Sequence, residues 1–447
     1  MRRAHTEKKG TRGFRDLQRG LTGERSLIGG SYMDDPKLLR AYLDFYWPIS
    51  FEQARHAIAV SGLLLGRPLG ARAVIDVGSG PGPVAAAFAA SGATAVTLLD
   101  QSPRALELAR EAIPARAAPR GETPPSVATV AMDISCPDPS RIPLWGAADC
   151  VSFGHSLNEI AFDRSDRVAL RARLLERYAA ALAPGGAILA VEPALLSTSR
   201  DLIAVRNLLV SRGWRVLAPC VGRAALECPA LAAGEGQTCH DAVRWEMPRS
   251  VESLARELGL DKESLKMAWF LLEPPRRLTG GGASGLSGDA DGLSGDIEGV
   301  DDAGSDSEDS SLYRVVSDPM LNKGGRVRRL LCGRAGRFPL SAPAGSADAA
   351  RSGFDALERG DFVRVESPDP RENGWGPSED YPSRIWTPGT IRCPMASSRA
   401  SPRATGSTSL STPNRRPTRG AGSPIWSMKS RRNSSGLTPC SSPRSSG

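Results

Sequence analysis

The stretch from residue 73 to residue 82 reads AVIDVGSGPG, and it decides the fold class of this chain. Its apolar start predicts a buried strand, and the helix-forming run AAAFAAS follows from residue 85. Between the two stand an acid, Asp76, and three glycines at alternate positions: Gly78, Gly80 and Gly82. A strand, a glycine-rich turn and a helix in this order let backbone N–H groups approach a bound cofactor at the helix N-terminus.

Asp100 ends the next apolar run, TAVTLL at residues 94–99. An acid at the tip of a second strand is placed to accept hydrogen bonds from ribose hydroxyl groups. Two other readings of the glycine loop have to be weighed. The loop could be a turn that only lets helix and sheet pack closely, or it could bind a nicotinamide cofactor. The nicotinamide fingerprint is spaced G-x-G-x-x-G, whereas this loop is spaced G-x-G-x-G with an acid two residues before its first glycine.

The spacing of this loop resembles that of the class I methyltransferases, which bind S-adenosylmethionine. The resemblance implies that Asp76 and the glycine loop line the methionine end of the cofactor, and that Asp100 holds its ribose. The candidate cofactor-binding residues are Asp76, Gly78, Ser79, Gly80, Gly82, Asp100, Gln101 and Asp133.

Strand and helix patterns alternate as far as about residue 277, as in an open sheet with helices on both faces. The expected fold class is therefore α/β: a doubly wound, mostly parallel, seven-stranded class I methyltransferase sheet with N-terminal helices, a cysteine-bearing insertion and a C-terminal β extension. Ligands of such sheets lie beyond the carboxyl ends of the strands, and Gly78, Asp100, Asp133 and His155 all fall at that edge.

Changes in composition predict the organisation of the rest of the chain. Residues 278–311 hold nine acids, no base and the sequence GLSGD twice, so they cannot bury enough apolar surface to fold. A β-hairpin with a turn at 322–325 is predicted over Leu312–Leu340. The expected segments are a mobile basic arm (1–25), N-terminal helices (26–69), a methyltransferase domain (70–277) with a cysteine-bearing loop (219–245), a disordered acidic linker (278–311), a C-terminal β extension (312–370) and a disordered tail (371–447).

The net charge of +8 does not by itself indicate a nucleic-acid ligand. Residues 384–447 hold eleven Lys and Arg residues and no acid, and the acidic linker offsets them, so the expected folded part is near neutral. No apolar run approaches the roughly 18 residues of a membrane span, and the N-terminus lacks the apolar core of a secretory signal. We therefore expect a cytoplasmic protein without a membrane partner, whose eight cysteines are reduced or bound to metal.

Four of these cysteines form a candidate metal site. Cys220, Cys228 and Cys239 lie within twenty residues of one another, and Cys332 lies on the predicted hairpin. Four thiolates complete a zinc site or an iron–sulfur cluster. The spacing is not the C-x-x-C of a zinc ribbon, so on spacing alone a metal site and four incidental cysteines stay equally open.

Further motifs add a second resemblance. They are HSLNE at 155–159, LAPGG at 182–186, VEP at 191–193, APC at 218–220, ECP at 227–229, TCH at 238–240 and RLLCGRAG at 329–336. With IDVGSGPG, they resemble the methyltransferase-like assembly factors of the small ribosomal subunit, found in bacteria and mitochondria. The resemblance covers about residues 30 to 370. It implies a 4Fe-4S cluster held by Cys220, Cys228, Cys239 and Cys332, with zinc as the alternative, and the small ribosomal subunit and its rRNA as partners.

The segment GHSLNEI at 154–160 follows the fourth predicted strand, where methyltransferases place the methyl acceptor. It lacks the Asn/Asp-Pro-Pro-aromatic motif suited to exocyclic amino groups, and it holds no cysteine nucleophile. His155, Asn158 and Glu159 are the candidate catalytic residues, which would orient the acceptor or accept its proton. Capping of the next helix by Asn158 and Glu159 is an equally open reading.

The expected function is therefore that of an S-adenosylmethionine-dependent methyltransferase in small-subunit biogenesis or translation, which methylates or binds rRNA. One alternative is a non-catalytic iron–sulfur assembly factor. The other is a small-molecule methyltransferase with a zinc-stapled lid.

Overall fold

The structure is a computed structural model that describes residues 9–27, 32–117, 123–276, 311–365, 369–371 and 374–376. The acidic linker expected at 278–311 lies outside these residues apart from Ser311, and so does the expected tail beyond residue 376. Among the helices of the described ranges, none combines the length and apolarity needed to cross a bilayer.

A central sheet of eight strands organises the first 276 residues, with strand order β3-β2-β1-β4-β5-β8-β6 and β7 paired to β8. Strands β1 to β5 pair in parallel, whereas β8 runs antiparallel to β5, β6 and β7. The strands are β1 (Ala73–Val77), β2 (Ala95–Asp100), β3 (Ser126–Ala131), β4 (Ala148–Gly154), β5 (Leu182–Pro193), β6 (Arg215–Ala218), β7 (Asp241–Arg244) and β8 (Ser264–Glu273).

The prediction of an α/β fold with a mostly parallel sheet is confirmed. The predicted count of seven strands is wrong by one. The extra strand is β7, which lies within the segment expected as a cysteine-bearing loop (219–245) and pairs with the first four residues of β8, from Ser264 to Met267. Its four residues were not recognised as a strand because the run is short and contains two charged residues, Asp241 and Arg244.

Helices cover both faces of this sheet. Alternate residues of a strand point to opposite faces, so Val74 and Ile75 of β1 belong to different buried clusters. One cluster packs α3, α4 and α5, and the other packs α6 and α7. The α-helices are α1 (Lys9–Gln18), α2 (Pro36–Ala41), α3 (Trp47–Leu64), α4 (Pro83–Ala90), α5 (Pro103–Ala117), α6 (Arg167–Ala179), α7 (Leu196–Val210), α8 (Arg249–Leu258) and α9 (Ala347–Arg351).

The mobile basic arm expected at 1–25 does not match the described part of that segment. Residues 9–23 are helical, and Phe14 and Leu17 are buried in a cluster with Phe45 and Val251. The basic composition concealed this, because one face of α1 is apolar while Arg15 and Asp16 are exposed.

A second sheet follows the linker, with strand order β13-β9-β11-β12-β15-β14 and β10 paired to β11. The predicted single hairpin over 312–340 is two hairpins, because the run RVRRLLCGRAGRF turns at Arg334 and Ala335 and pairs with itself. Strand β15 also lies within the expected disordered tail. The strands are β9 (Leu312–Val315), β10 (Met320–Leu321), β11 (Arg326–Gly333), β12 (Gly336–Pro343), β13 (Phe362–Arg364), β14 (Asp369–Arg371) and β15 (Gly374–Gly376).

The Leu17→Ala substitution tests whether α1 is docked. Leu17 is 0% exposed, and removing a buried leucine side chain typically costs about 2–5 kcal/mol. We expect faster amide hydrogen exchange in α1 and a lower free energy of unfolding. The exposed Asp16→Ala substitution on the same helix is the control and should change neither. Equal exchange in the two variants would show that α1 is not packed.

Candidate functional site

The loop between β1 and α4 lies at the carboxyl edge of the sheet, where the strand order reverses between β1 and β4. Ligands of doubly wound sheets bind at this position. Gly78, Gly80 and Gly82 have φ values of 66°, 51° and 72°, in the left-handed region. A Cβ atom on Gly78 would lie 2.4 Å from Cβ of Ser156, so no other residue fits there.

The amide groups of this loop are engaged within the fold. The N–H groups of Gly78 and Ser79 both donate to the carbonyl oxygen of Leu99, and that of Gly82 donates to Ser79. The expectation that these amides face a cofactor therefore needs correction. What the loop offers a ligand is a backbone free of side chains, which allows close approach.

Asp100, at the end of β2, holds the glycine loop through its carboxylate. Its Oδ2 accepts the N–H of Gly80 at 2.8 Å and its Oδ1 accepts that of Ser102 at 2.9 Å. Burial raises the pKa of Asp100, and these two donors oppose the rise. A carboxylate has about four lone-pair sites, so Asp100 keeps acceptor capacity for hydroxyl groups.

Asp76 lies beneath the loop and is 1% exposed. Its carboxylate accepts the hydroxyl of Ser152 at 2.7 Å and the N–H of Ala85, in the first turn of α4, at 3.1 Å. Burial raises the pKa of Asp76 to about 7. These contacts tie α4 to β1 and β4, so in this structure Asp76 shapes the site from below.

The other two candidate cofactor residues are exposed. Gln101 and Asp133 lie at the tips of β2 and β3. Asp133 Oδ1 accepts both the N–H and the hydroxyl of Ser135, at 2.9 and 2.7 Å, so its carboxylate stabilises the turn after β3.

The N-terminal helices form a wall over the glycine loop. Trp47 Nε1 donates to the carbonyl oxygen of Pro81 at 3.0 Å, and the hydroxyl of Ser102 donates to Asp34 at 2.6 Å. Cε of Met33 lies 3.4 Å from where a Cβ on Gly80 would stand. Sequence reasoning placed helices here but missed these three N-terminal residues, whose only signal was an apolar and aromatic segment just before β1.

His155 follows β4 with a φ of 61° and faces the N-terminal helices. Its Nε2 lies 2.9 Å from Oε1 of Gln53, while Nε2 of Gln53 donates to the carbonyl oxygen of Lys266. Assigned from this network, Nε2 of His155 carries the proton and Nδ1 is an acceptor. Burial lowers the pKa of His155 to about 4, so the ring is neutral at pH 7.

Asn158 is fully hydrogen-bonded. Its Nδ2 donates to Glu192 Oε2 at 2.6 Å and to the carbonyl oxygen of His155 at 2.9 Å, and its Oδ1 accepts Nη2 of Arg25 at 2.6 Å. Its backbone N–H donates to Glu192 Oε1, and its carbonyl oxygen accepts Nη2 of Arg171. In this structure Asn158 therefore holds the loop in place, with no side-chain N–H left for a methyl acceptor.

Glu159 lies in the same turn, Leu157–Glu159, and is half-buried. Burial of Tyr32 on the N-terminal wall raises its pKa, and the charge of Glu159 raises it further. The structure thus brings His155, Asn158 and Glu159 together beside the glycine loop, and it adds Glu192, Arg171 and Arg25. Sequence reasoning missed these three, because they stand in other parts of the fold, 13, 34 and 133 residues from Asn158 for Arg171, Glu192 and Arg25.

All four candidate metal-ligating cysteines line one cavity. Cys220, Cys228 and Cys239 come from the loop between β6 and β7, and Cys332 comes from β11. The empty volume of the cavity, including its opening, is about 310 Å³. Burial raises the pKa of both Cys228 and Cys332 to about 12, so without a metal these thiols are protonated.

Three arginines, Arg206, Arg223 and Arg314, line the same cavity. Within the described part of the chain, the buried Nε–H of each of them lacks a hydrogen-bond partner. Across the same residues, no three His, Cys, Asp or Glu side chains are arranged to hold a single metal ion. The donor set nevertheless suits an anionic group bound by several thiolates, because unpaired cationic donors surround the thiols.

Residues 69–269 match the family model described as "Mitochondrial small ribosomal subunit Rsm22". The matched region spans the central sheet from just before β1 to within β8. No curated protein matches the chain.

Solved structures that resemble the chain include S-adenosylmethionine-dependent enzymes. A methyltransferase from Leishmania major is 15% identical, with 59% of this chain and 82% of that one covered and a TM-score of 0.31. A ribosomal protein L11 methylase from Lactobacillus delbrueckii subsp. bulgaricus is 13% identical, with coverages of 48% and 77% and a TM-score of 0.27. A putative RNA methyltransferase from Pyrococcus horikoshii is 15% identical, with coverages of 48% and 84% and a TM-score of 0.26. These scores are too low to support an argument about function.

The expectation of a cytoplasmic protein is contradicted by the family match, whose description names the mitochondrial small ribosomal subunit. That expectation rested on the absence of a recognisable secretory signal in the first residues, which is a weak guide to location.

The Glu192→Gln substitution tests whether the buried carboxyl groups make the stability of the fold depend on pH. Burial raises the pKa of Glu192 to about 8 and that of Asp76 to about 7, whereas unfolded carboxyls titrate at about 4. The folded state therefore holds these protons more tightly, and the stability they contribute is lost as the pH rises through the folded pKa values. We expect the free energy of unfolding to fall from about pH 4.5 to about pH 8 and to level off above that, by at most about 1.4 kcal/mol per pH unit for each group.

Gln cannot ionise, so Glu192→Gln should flatten this decline in urea unfolding curves. The control is Glu176→Gln, which breaks a solvent-facing ion pair with Arg212 and should keep the wild-type slope. The pKa of His155, lowered to about 4, makes stability rise with pH up to about pH 6.5, so the slopes of the variants are compared between about pH 6.5 and 8. If the slope of stability against pH is unchanged in Glu192→Gln, the raised pKa of Glu192 is contradicted.

Proposed function

We propose that this chain is an S-adenosylmethionine-dependent, methyltransferase-like protein that acts on the small ribosomal subunit and methylates or binds its rRNA. The observation that carries the proposal is the site at the β1–β4 switch point, where Asp100 faces a loop of three left-handed glycines. The family match over residues 69–269 supports the ribosomal partner.

S-adenosylmethionine, when bound, supplies a methyl group activated by its sulfonium. Asp100 would accept hydrogen bonds from the ribose hydroxyl groups with its remaining lone pairs. The glycine loop would admit the methionine portion against bare backbone, and the wall formed by Met33, Asp34 and Trp47 would exclude water. Asp76 would keep the loop in register from beneath.

The methyl acceptor would enter beside His155. The Nδ1 atom of its neutral ring can accept a hydrogen bond and so orient an N–H or O–H acceptor. With a pKa of about 4, the ring is a weak base, so at neutral pH it suits orientation better than proton removal. Much of the rate of methyl transfer can come from such positioning.

The cysteine cavity would hold a 4Fe-4S cluster through Cys220, Cys228, Cys239 and Cys332. Zinc, the alternative expected from sequence, suits the cavity less well, because within the described residues no three of these side chains are arranged to hold one ion. Each cysteine of such a cluster binds a different iron, so its ligands can line a common cavity without sharing one ion. A bound group would join the loop before β7 to β11 of the second sheet and stabilise the folded chain.

A non-catalytic assembly factor is the second candidate. It is favoured by the hydrogen bonds of Asn158. The side-chain N–H groups that could orient an acceptor already donate to Glu192 and to the carbonyl oxygen of His155. In this role the cofactor and the metal group would stabilise a ribosome-binding shape.

The Asp100→Asn substitution tests the cofactor site. It removes the negative charge while keeping the size of the side chain, so calorimetry of the full chain should show at least about tenfold weaker binding of S-adenosylmethionine and its demethylated product. The control is Asp149→Asn. Asp149 also accepts two backbone N–H groups, from Arg72 and Ala73, but at the opposite edge of the sheet. Failure of the wild-type protein to bind either ligand would overturn the proposal.

Complementation of a null strain separates the two candidates. If the protein is an enzyme, Asp100→Asn should abolish a specific methyl mark on the small subunit while assembly proceeds. If it is a non-catalytic factor, Cys220→Ser should block small-subunit maturation, and the methylation profile of the null strain should equal that of the wild type. Mass spectrometry of rRNA and sedimentation of ribosomal subunits give the two readouts.

A further inference from the structure

Arg206 on α7 is a buried cation without a counter-ion. It is 0% exposed, and among the described residues no carboxylate forms an ion pair with it. Its two Nη atoms donate to Oδ1 of Asn207 and to the carbonyl oxygen of Arg223, both neutral groups. An unpaired buried charge is costly, so the fold must offer this guanidinium an anion. The cysteines that line the same cavity as Arg206 are groups able to become anionic.

Arg314 on β9 points into the cavity from the second sheet. In the strand pairing it lies directly opposite Cys332 of β11. Its Nη1 donates to Sγ of Cys239 at 3.5 Å, and its Nη2 pairs with the buried carboxylate of Asp241. The Asp241 pair uses Nη2, and Nε of Arg314, which lines the cavity, has no hydrogen-bond partner among the described residues.

Arg223 bridges the two chain segments that supply the cysteines. Its Nη1 donates to the carbonyl oxygen of Arg334, just after Cys332, at 2.8 Å. Its Nη2 donates to that of Glu227, just before Cys228, at 2.6 Å. The contact is close, because a Cβ atom on the neighbouring Gly222 would lie 2.9 Å from Cβ of Arg334.

We propose that Arg206, Arg223 and Arg314 form a cationic shell around the cysteine cavity, which neutralises a negatively charged, thiolate-bound metal group and donates Nε–H groups to its sulfur atoms. The inference rests on the proposed metal site and concerns what retains the group there. Four thiolates carry four negative charges, more than a zinc ion or an oxidised 4Fe-4S core offsets. The three arginines are positioning residues: Arg206 and Arg223 supply the remaining positive charge, and Arg314, whose charge is offset by Asp241, donates hydrogen bonds.

The shape of the guanidinium group matters as well as its charge. Arginine presents five N–H donors in a rigid fork, so one side chain can hold carbonyl oxygens with its Nη atoms while its Nε faces sulfur. A lysine at the same place would keep the charge but could not make both sets of contacts. Hydrogen bonds to cluster sulfur atoms and local net charge also set the reduction potential of such a group.

The test uses the full chain purified without oxygen, with Arg223→Met, Arg223→Lys and Arg328→Met. Arg223 is half-buried and the most tolerant of the three positions. Arg328 is the matched control, because it lies on β11 four residues from Cys332 and on the same face of the strand. Iron, sulfide and zinc content are measured first, then the rate of metal release to a chelator. Circular dichroism checks that each variant is folded.

We expect Arg223→Met to weaken metal retention by about tenfold to hundredfold, the usual effect of removing a group that supports metal ligands. The metal retention of Arg223→Lys should lie between that of Arg223→Met and that of the wild type. The metal retention of Arg328→Met should equal that of the wild type. If the group is a cluster, its reduction potential should be lower in Arg223→Met, because the reduced state carries more negative charge.

The outcomes separate the two proposals. Wild-type protein that contains neither iron nor zinc overturns both the metal site and the shell. Zinc in the wild type rejects the cluster, while its release rate still tests the shell. Metal that is retained equally by wild type, Arg223→Met and Arg223→Lys overturns the shell alone. If Arg223→Met does not fold, the Arg223→Lys result decides.

Discussion

The buried ion pair between Asp241 and Arg314 is the contact on which the arrangement of the two sheets depends. Asp241 begins β7 and is 1% exposed, and its carboxylate also accepts the indole N–H of Trp269 on β8 at 2.5 Å. Arg314 lies on β9, beyond the linker. The charge of Arg314 holds the pKa of Asp241 well below its usual range despite burial. Loss of either partner would leave an uncompensated charge in the interior, which typically costs about 3–5 kcal/mol.

The same ion pair also lies next to the cysteine cavity. Asp241 stands two residues after Cys239, and Arg314 contacts both residues and pairs across the strands with Cys332. One buried contact therefore helps to fix both the orientation of the second sheet and the geometry of the cavity. Strand β7, which the sequence-based prediction missed, carries the carboxylate that pairs with Arg314.

Much of the central sheet could be predicted from sequence, because strands β1 to β5 are apolar runs that end at glycines or acids. The glycine loop and Asp100 were found for the same reason, since their chemistry is concentrated in one short segment. The cavity arginines could not be found this way. Arg206, Arg223 and Arg314 stand on three different elements, and no periodicity distinguishes a buried arginine from an exposed one. The mobile arm was predicted from charge alone, although Phe14 and Leu17 decide the packing of α1.

The order in which the cysteines occur along the chain has a consequence for biosynthesis. Three of them precede the linker, whereas Cys332 is translated about ninety residues after Cys239. While the ribosome is still making the second sheet, the first three thiols and Arg206 are present without the fourth thiol or Arg314. A complete cavity can exist only after both sheets have left the exit tunnel, so any inorganic group held by all four cysteines is completed only after the second sheet has been made.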